Sequence, residues 1–297
     1  MTARTALVVE GGAMRGIFAS GVLEVFQEQG FQPFDLAIGC SVGSCILASH
    51  LAGHRGRTFT VFTRYMTRRE FIDPRRFIRG GDWVDFDWLW HATERDVPLD
   101  CAKLTASPVK LVVSTTSYTT GGPVFLEPGE SDLMQALKSS CALPLLCRSA
   151  AHVGEQRLLD GGISAPIPVQ EAYRRGARRI IVLRSRPAGF IKRKSSYARL
   201  AALAFRASPP LARALRSSHV AYRNAVEFIT NPPDDCTILQ VAPLSNLATG
   251  RTTQSTRALA LDFALGREAG ERAIRTWQSS RHSRTSAPTH RGPPSSD

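Results

Sequence analysis

The chain is 297 residues long, 43% hydrophobic and 21% charged, with a formal net charge of +13. This is the composition of a globular protein, long enough for one large domain or a domain with an appendix. No stretch approaches the roughly 20 apolar residues of a membrane span, and the six cysteines and seven histidines fall in no metal-binding spacing, so reduced thiols and no metal or cofactor are expected.

Met1-Thr2-Ala3-Arg4 leads into an apolar run of only four residues, Ala6-Leu7-Val8-Val9, too short for a signal-peptide core. The run reads as a strand that enters Glu10-Gly11-Gly12-Ala13-Met14-Arg15-Gly16. Ile17, Phe18, Val22, Leu23, Val25 and Phe26 then recur at helical spacing. Backbone N–H groups at such a helix start point outward and form an anion site. A dinucleotide fingerprint would need glycine where Ala13 stands, and a phosphate loop would need Gly-Lys-Ser/Thr where Arg15-Gly16-Ile17 stands. An oxyanion hole needs only donors aimed at developing charge, and a tight turn without ligand needs nothing more.

Phe34 to Ile38 reads as a short buried strand and Ser44 to Leu51 as a small-residue helix. Between them lies Gly39-Cys40-Ser41-Val42-Gly43, the G-x-S-x-G pattern of a nucleophile elbow, which holds a serine up for attack on a strained turn. Arg64 to Leu99 interleaves Tyr65, Phe71, Phe77, Trp83, Phe86, Trp88 and Trp90 with arginines; it is either an acyl-pocket wall or a second layer packed on a sheet. Val109 to Thr116 is a strand with a hairpin return at Val124 to Leu126. A helix from Ser131 leads to Ala142-Leu143-Pro144. Asp160-Gly161-Gly162 closes a further strand; alone it is a turn, but beside an exposed serine it supplies a carboxylate able to accept a proton. Val169 to Arg175 is a helix closed by Gly176, and Arg179 to Leu183 another buried strand.

The glycine loop Gly11 to Gly16, the elbow Gly39 to Gly43, the small residues Ser139 to Pro144 and the Asp160-Gly161-Gly162 turn stand in the order of the patatin-like phospholipases, which the first 185 or so residues resemble. Ala13 replaces that family's third glycine and Cys40 its usual threonine; neither change removes a catalytic group. The resemblance implies a three-layer α/β/α sandwich with a mostly parallel sheet and a helical or mixed C-terminal extension. It also implies a Ser-Asp dyad. Ser41 would attack an ester carbonyl, Asp160 would take its proton, and backbone N–H groups around Gly11, Gly12, Ala13 and Met14 would hold the oxyanion, with Arg15 fixing the loop or meeting a substrate anion. A carboxylate ordinarily near 4 is an awkward base, so burial should raise it.

Beyond Lys192 a basic helix through Phe205 stops at Pro209-Pro210, a second runs from Leu211 through Ile229, Thr237 to Val241 is a last strand, and Arg257 to Trp277 a final helix. The expected division is an acyl hydrolase domain over 1–185, a C-terminal region packed on it over 186–278 and a disordered tail over 279–297. An ordinary α/β-hydrolase would need a histidine after Asp160, for which His219 is the candidate, though it falls inside a helical pattern. The expected function is a serine acyl hydrolase of lipid esters; the alternatives are a catalytically weak lipid-binding module and a triad esterase using His219. A lipid ester substrate is the expected partner. No nucleic-acid motif accompanies the arginines, so no nucleic acid is expected. A basic surface also suits anionic headgroups, so the expected location is cytoplasmic, extending to peripheral contact at the inner membrane face.

Overall fold

Eight strands form one mixed sheet: β1 (Arg4–Val9), β2 (Leu36–Cys40), β3 (Lys110–Ser117), β4 (Pro123–Leu126), β5 (Ala151–Val153), β6 (Gln156–Asp160), β7 (Ala177–Leu183) and β8 (Thr237–Val241). The computed structural model describes residues 4–129, 132–146 and 151–285. The strand order is β5-β6-β3-β2-β1-β7-β8, with β4 also paired to β3. The run β3-β2-β1-β7-β8 is parallel, while β4 and β6 meet β3, and β5 meets β6, antiparallel.

Eleven α-helices accompany the sheet among the described residues: α1 (Ile17–Glu28), α2 (Val42–Leu51), α3 (Arg57–Thr60), α4 (Pro74–Ile78), α5 (Phe86–Asp96), α6 (Cys101–Thr105), α7 (Leu133–Cys141), α8 (Val169–Arg174), α9 (Ser196–Ala204), α10 (Pro209–Thr230) and α11 (Thr256–Thr285). The period-2 alternation of each strand sorts its side chains between two cores. Leu7, Val9, Ile181 and Leu183 join the core under α1, α2 and α11; Ala6, Val8, Ile180 and Val182 join the one under α8 and α10. A sheet covered on both faces reads as unbroken apolar runs, which is why Ala6 to Val9 is apolar throughout and fully buried. The result is the α/β/α sandwich with a mostly parallel sheet.

Between α2 and β3 the chain breaks into short helices, because Asp73, Asp85 and Asp100 each accept a backbone N–H at a helix start and restart the chain. Two boundaries differ from the sequence expectation. Pro209 and Pro210 open α10, since proline at the first helical position sacrifices an N–H that has no partner there anyway. Helix α11 continues to Thr285, past residue 279 where the tail was expected to begin; residues 286–297 of that tail lie outside the described residues. Ser131, the expected helix start, also lies outside them, and α7 begins at Leu133.

The C-terminal region is built into the sandwich. β8 extends the sheet in parallel register with β7, pairing Ile181 with Leu239 and Leu183 with Val241. α11 lies against α1 with backbones nearly touching: a Cβ on Gly266 would stand 2.1 Å from the Phe18 carbonyl oxygen, and one on Gly21 2.2 Å from that of Phe263. Backbone cannot yield as a flexible side chain does. Gly266→Ala is therefore expected to lower stability by about 1–3 kcal/mol through overpacking, read as a lower urea midpoint; a loss below about 0.5 kcal/mol would show that the two helices separate without penalty.

Candidate active site

β3 has different neighbours along its length. Its first part pairs with β2, ending at Cys40 opposite Ser114, and its last part pairs with β6, with Thr115 opposite Asp160. Consecutive residues of one strand thus bring the end of β2 and the end of β6 together. Ser41, one residue past β2, turns sharply with φ 54° and ψ −131° before α2 begins, a conformation that L-residues rarely adopt. Gly39 makes the turn possible, because a Cβ there would lie 2.5 Å from the Ser44 backbone. The Ser41 amide donates to Ser140 Oγ at 2.8 Å, and Ser140 Oγ donates to the Ser114 carbonyl at 2.7 Å. The small-residue end of α7 therefore braces the elbow against β3.

Ser41 Oγ donates to Asp160 Oδ2 at 2.8 Å across 119 residues of sequence. Asp160 is buried, and its other oxygen, Oδ1, accepts the Gly162 amide at 2.6 Å. Burial raises its carboxyl from 3.8 to about 6, against the opposing pull of the Gly162 amide, the Ser41 hydroxyl and the Arg251 and Lys192 charges. The Asp160 amide donates to the Ala142 carbonyl at 3.0 Å, so the Ala142-Leu143-Pro144 stretch serves as the wall behind the carboxylate. Gly161 packs against Ser114, whose carbonyl oxygen a Cβ would approach to 2.3 Å.

The glycine loop lines a cavity together with Ser41 and Asp160. Its amides divide into two groups. Gly11 N donates to Pro166 O, Met14 N to Arg251 O and Arg15 N to Gly12 O, so these three are engaged within the fold. The Gly12 and Ala13 amides have no hydrogen-bond acceptor among the described residues. Ala13 itself sits at φ 50°, the left-handed conformation for which glycine would be the unstrained choice. Of the amides around Gly11, Gly12, Ala13 and Met14, those of Gly12 and Ala13 are the ones without an acceptor among the described residues.

Behind the loop is a buried polar network that sequence inspection missed. Glu10 accepts the Ser185 amide at 2.7 Å and the Tyr222 hydroxyl at 3.1 Å, and the buried Arg184 guanidinium donates to Tyr222 at 2.8 Å. Burial raises the Glu10 carboxyl, opposed by the Ser185 amide and the Arg184 charge. Tyr222 belongs to α10, so the C-terminal region is bonded to the residue that precedes the loop. No local signal marks this network, since its members are spread across 212 residues.

Two cavities meet at Ser41. The larger, about 360 Å³, is apolar and runs between α2 and the short helices, with Val42, Ile46, Phe62, Phe71, Phe86 and Trp90 among its walls. In the aromatic segment Phe71, Trp83, Phe86 and Trp90 line this cavity, while Tyr65 and Trp88 pack into the core. The smaller cavity, about 160 Å³, holds Asp160, the loop and Arg15 among otherwise largely apolar walls. His219 lines neither; its Nδ1 pairs with the Arg216 carbonyl one turn back along α10. The triad alternative thus has no imidazole at the serine among the described residues. Cys45 and Cys141 Sγ lie 3.8 Å apart beside the apolar cavity; Cys147 lies outside the described residues. No group of three potential metal ligands occurs among the described residues, and no described helix is long and apolar enough to cross a membrane.

The sandwich thus carries a serine on a strand-to-helix elbow, a buried carboxylate against its hydroxyl and an apolar cavity leading away from both. The patatin-like phospholipase family matches residues 7–173, and the chain belongs to that family. A second match, to a domain of unknown function (DUF6363), covers residues 208–280, the stretch that contributes Tyr222, β8 and most of α11. Among curated proteins, the chain is 34% identical to YjjU of Escherichia coli over 92% of its own length and 78% of that protein's. It is 29% identical to an NTE family protein of Mycobacterium tuberculosis over 56% of its length, spanning 44% of the relative. Among solved structures it is similar to VipD from Legionella pneumophila, at 14% identity and a TM-score of 0.43, over 93% of this chain and 67% of that one.

Two stability measurements check the electrostatics of the site. A carboxyl raised in the folded state binds its proton more tightly there, so its contribution to stability is full below pH 3.8 and is lost as the pH rises through about 6. Relative to Asp160→Asn, the wild type should lose about 3 kcal/mol of unfolding free energy between pH 3.5 and 8; parallel curves would mean that Asp160 titrates as an ordinary carboxylate. Tyr222→Phe removes one hydrogen bond each from a buried glutamate and a buried arginine, and should cost about 1–3 kcal/mol in urea unfolding with the m-value unchanged. A midpoint equal to the wild type would show the network to be dispensable.

Proposed function

We propose that the protein is a serine acyl hydrolase that cleaves carboxyl esters of lipids through Ser41 and Asp160. The observation that carries this reading is the 2.8 Å hydrogen bond from Ser41 Oγ to a buried carboxylate, without an imidazole between them. Ser41 Oγ attacks the ester carbonyl carbon as Asp160 takes the hydroxyl proton. The tetrahedral oxyanion is met by the Gly12 and Ala13 amides, donors that are fixed before the charge develops and so need no reorganisation. Collapse releases the alcohol, which takes the proton from Asp160, and leaves an acyl-Ser41 ester. Asp160 then removes a proton from water, the resulting hydroxide attacks the acyl carbon, and the fatty acid leaves as Ser41 regains its proton.

A base held near 6 is matched to this task far better than one near 4, because it is ionised at neutral pH yet basic enough to accept a proton as the attack proceeds. The apolar cavity is the place for the acyl chain. Residues 1–185 are assigned as the acyl hydrolase unit and 186–278 as the region that completes it. The location assigned is cytoplasmic with peripheral contact to an anionic membrane surface, for which the exposed Ile78 beside Arg75 and Arg79 is suited.

The test is hydrolysis of a chain-length series of p-nitrophenyl esters. Ser41→Ala and Asp160→Asn should each reduce kcat/KM by at least about a thousandfold, while His219→Ala keeps wild-type activity. Below pH 6 the wild-type kcat/KM should fall tenfold per pH unit as Asp160 becomes protonated. An imidazole near 6.5 would give a similar acid limb, so the His219 variant is what separates dyad from triad. Activity that survives Ser41→Ala, or an inert wild type, would leave lipid binding as the better account.

A further inference from the structure

The smaller cavity gathers positive charge that the proposed chemistry does not use. Arg15, Arg186, Lys192 and Arg251 line it together, against two carboxylates, Glu10 and Asp160. Glu10 is already engaged by Ser185 and Tyr222, with Arg184 beside it, and Asp160 by Ser41 and Gly162. None of the four cations forms an ion pair with a carboxylate among the described residues. Arg186 lies over the Phe190 ring at 4.6 Å, Lys192 Nζ donates to the Ser218 carbonyl at 3.3 Å, and Arg15 Nε is buried with no hydrogen-bond partner. Elsewhere the sequestered arginines have carboxylates beside them: Arg175 pairs with Glu127 and Glu171, and Arg184, whose Nε also lacks a hydrogen bond, has Glu10 at 3.8 Å and donates through its other nitrogens to Tyr222, Ala188 and Gln240.

Like charges held together in a partly desolvated cavity repel, and the titration directions register that repulsion. Burial brings the Arg15 guanidinium down from its ordinary value to about 10, with Arg186 and Arg251 adding to the effect. Burial and Arg251 bring Lys192 down from 10.5 to about 8. An anion bound among them would remove the strain and satisfy Arg15 at once, through charge-assisted hydrogen bonds of the kind that arginine makes to phosphate. The position matters as well. Ser41 lies where the two cavities join, so an ester carbonyl at its hydroxyl would send the acyl chain into the apolar cavity and the alcohol portion toward the cations.

We propose that the cations of the smaller cavity form a subsite for a phosphate-bearing, anionic lipid headgroup, built from Arg186, Lys192 and Arg251 of the C-terminal region in front of Arg15. The substrate class is then a single acyl ester of an anionic phospho-alcohol. This assignment rests on the acyl hydrolase reading and adds to it a preference set by residues outside the part of the chain matched by the patatin-like family.

The experiment compares lysophosphatidic acid, lysophosphatidylglycerol, lysophosphatidylcholine and monoacylglycerol of one chain length, each diluted into the same neutral mixed micelle. Wild type should show at least tenfold higher kcat/KM on the two anionic lipids than on the other two. The Arg186→Gln/Arg251→Gln double variant, and separately Lys192→Gln, should reduce that ratio by at least tenfold, mainly through KM. Hydrolysis with no headgroup preference would overturn the subsite and leave the hydrolase reading intact. A ratio that survives while the acid limb of the pH profile shifts equally on all substrates would also overturn it, assigning the cations to Asp160 alone. Competitive inhibition by inorganic phosphate without any lipid preference would assign the cavity to the free ion and overturn the lipid assignment. Should no ester be cleaved, calorimetric binding of lysophosphatidic acid to Ser41→Ala decides the matter. Binding that the double variant loses supports the subsite, and absence of binding overturns it.

Discussion

The site depends on how β3 is shared between β2 and β6. Ser114 pairs with the last residue of β2 and Thr115 with the last of β6, so two chain segments 119 residues apart end side by side. Ser41 and Asp160 inherit their separation from backbone ladders and not from flexible side chains. That precision is what proton transfer demands, since donor and acceptor must already lie within hydrogen-bond reach. The antiparallel pairing of β6 with the last residues of β3, beyond the end of β2, is the structural device that achieves it. Ser140 and Ala142 reinforce the arrangement, one holding the elbow amide and the other the Asp160 amide.

Burial sets the electrostatic character of the surroundings. Asp160 and Glu10 are both deep enough for desolvation to raise their carboxyls, yet their partners differ. Glu10 is surrounded by fixed donors, a tyrosine, a backbone amide and a neighbouring arginine, and acts as part of the scaffold. Asp160 has one oxygen held by a backbone amide and the other turned to a serine hydroxyl on a cavity. The first arrangement is closed and the second is open to a reactant. This contrast, more than either carboxyl's titration, distinguishes a structural acid from a candidate base.

The C-terminal region belongs to this machinery physically. Its strand β8 covers the edge of β7, its helix α11 meets α1 through bare glycine backbone, and its Tyr222 and Arg251 reach the glycine loop from behind and beside. A loop that presents unpaired amides needs to be held from outside, because its own backbone is already strained at Ala13. The contacts from α10 and from the Arg251 carbonyl provide that restraint. They also place basic side chains from the same region in the cavity next to Ser41.

Much of this was legible in the amino-acid order. Apolar runs bounded by glycine determined the parallel strands. The glycines around Ser41 and after Asp160 marked turns, and in the fold a Cβ at Gly39 or Gly161 would stand 2.5 Å or 2.3 Å from backbone atoms. The limits of local reading appear where chemistry is ambiguous or distant. Pro209 and Pro210 look like terminators but suit a helix start equally well, and only the following packing face decides between them. Nothing local tells which amides of a glycine loop are free, because Gly11, Met14 and Arg15 are occupied by acceptors at Pro166, Arg251 and Gly12. Likewise Glu10, Arg184 and Tyr222 are unremarkable singly. They become a network only when β1, β7 and α10 converge, and four scattered cations become a charged cavity only when the chain returns to its own N-terminal loop. Sequence determined the residue types and the turns they permit; tertiary structure decided which of them lose water and which face one another, and charge interactions depend on both.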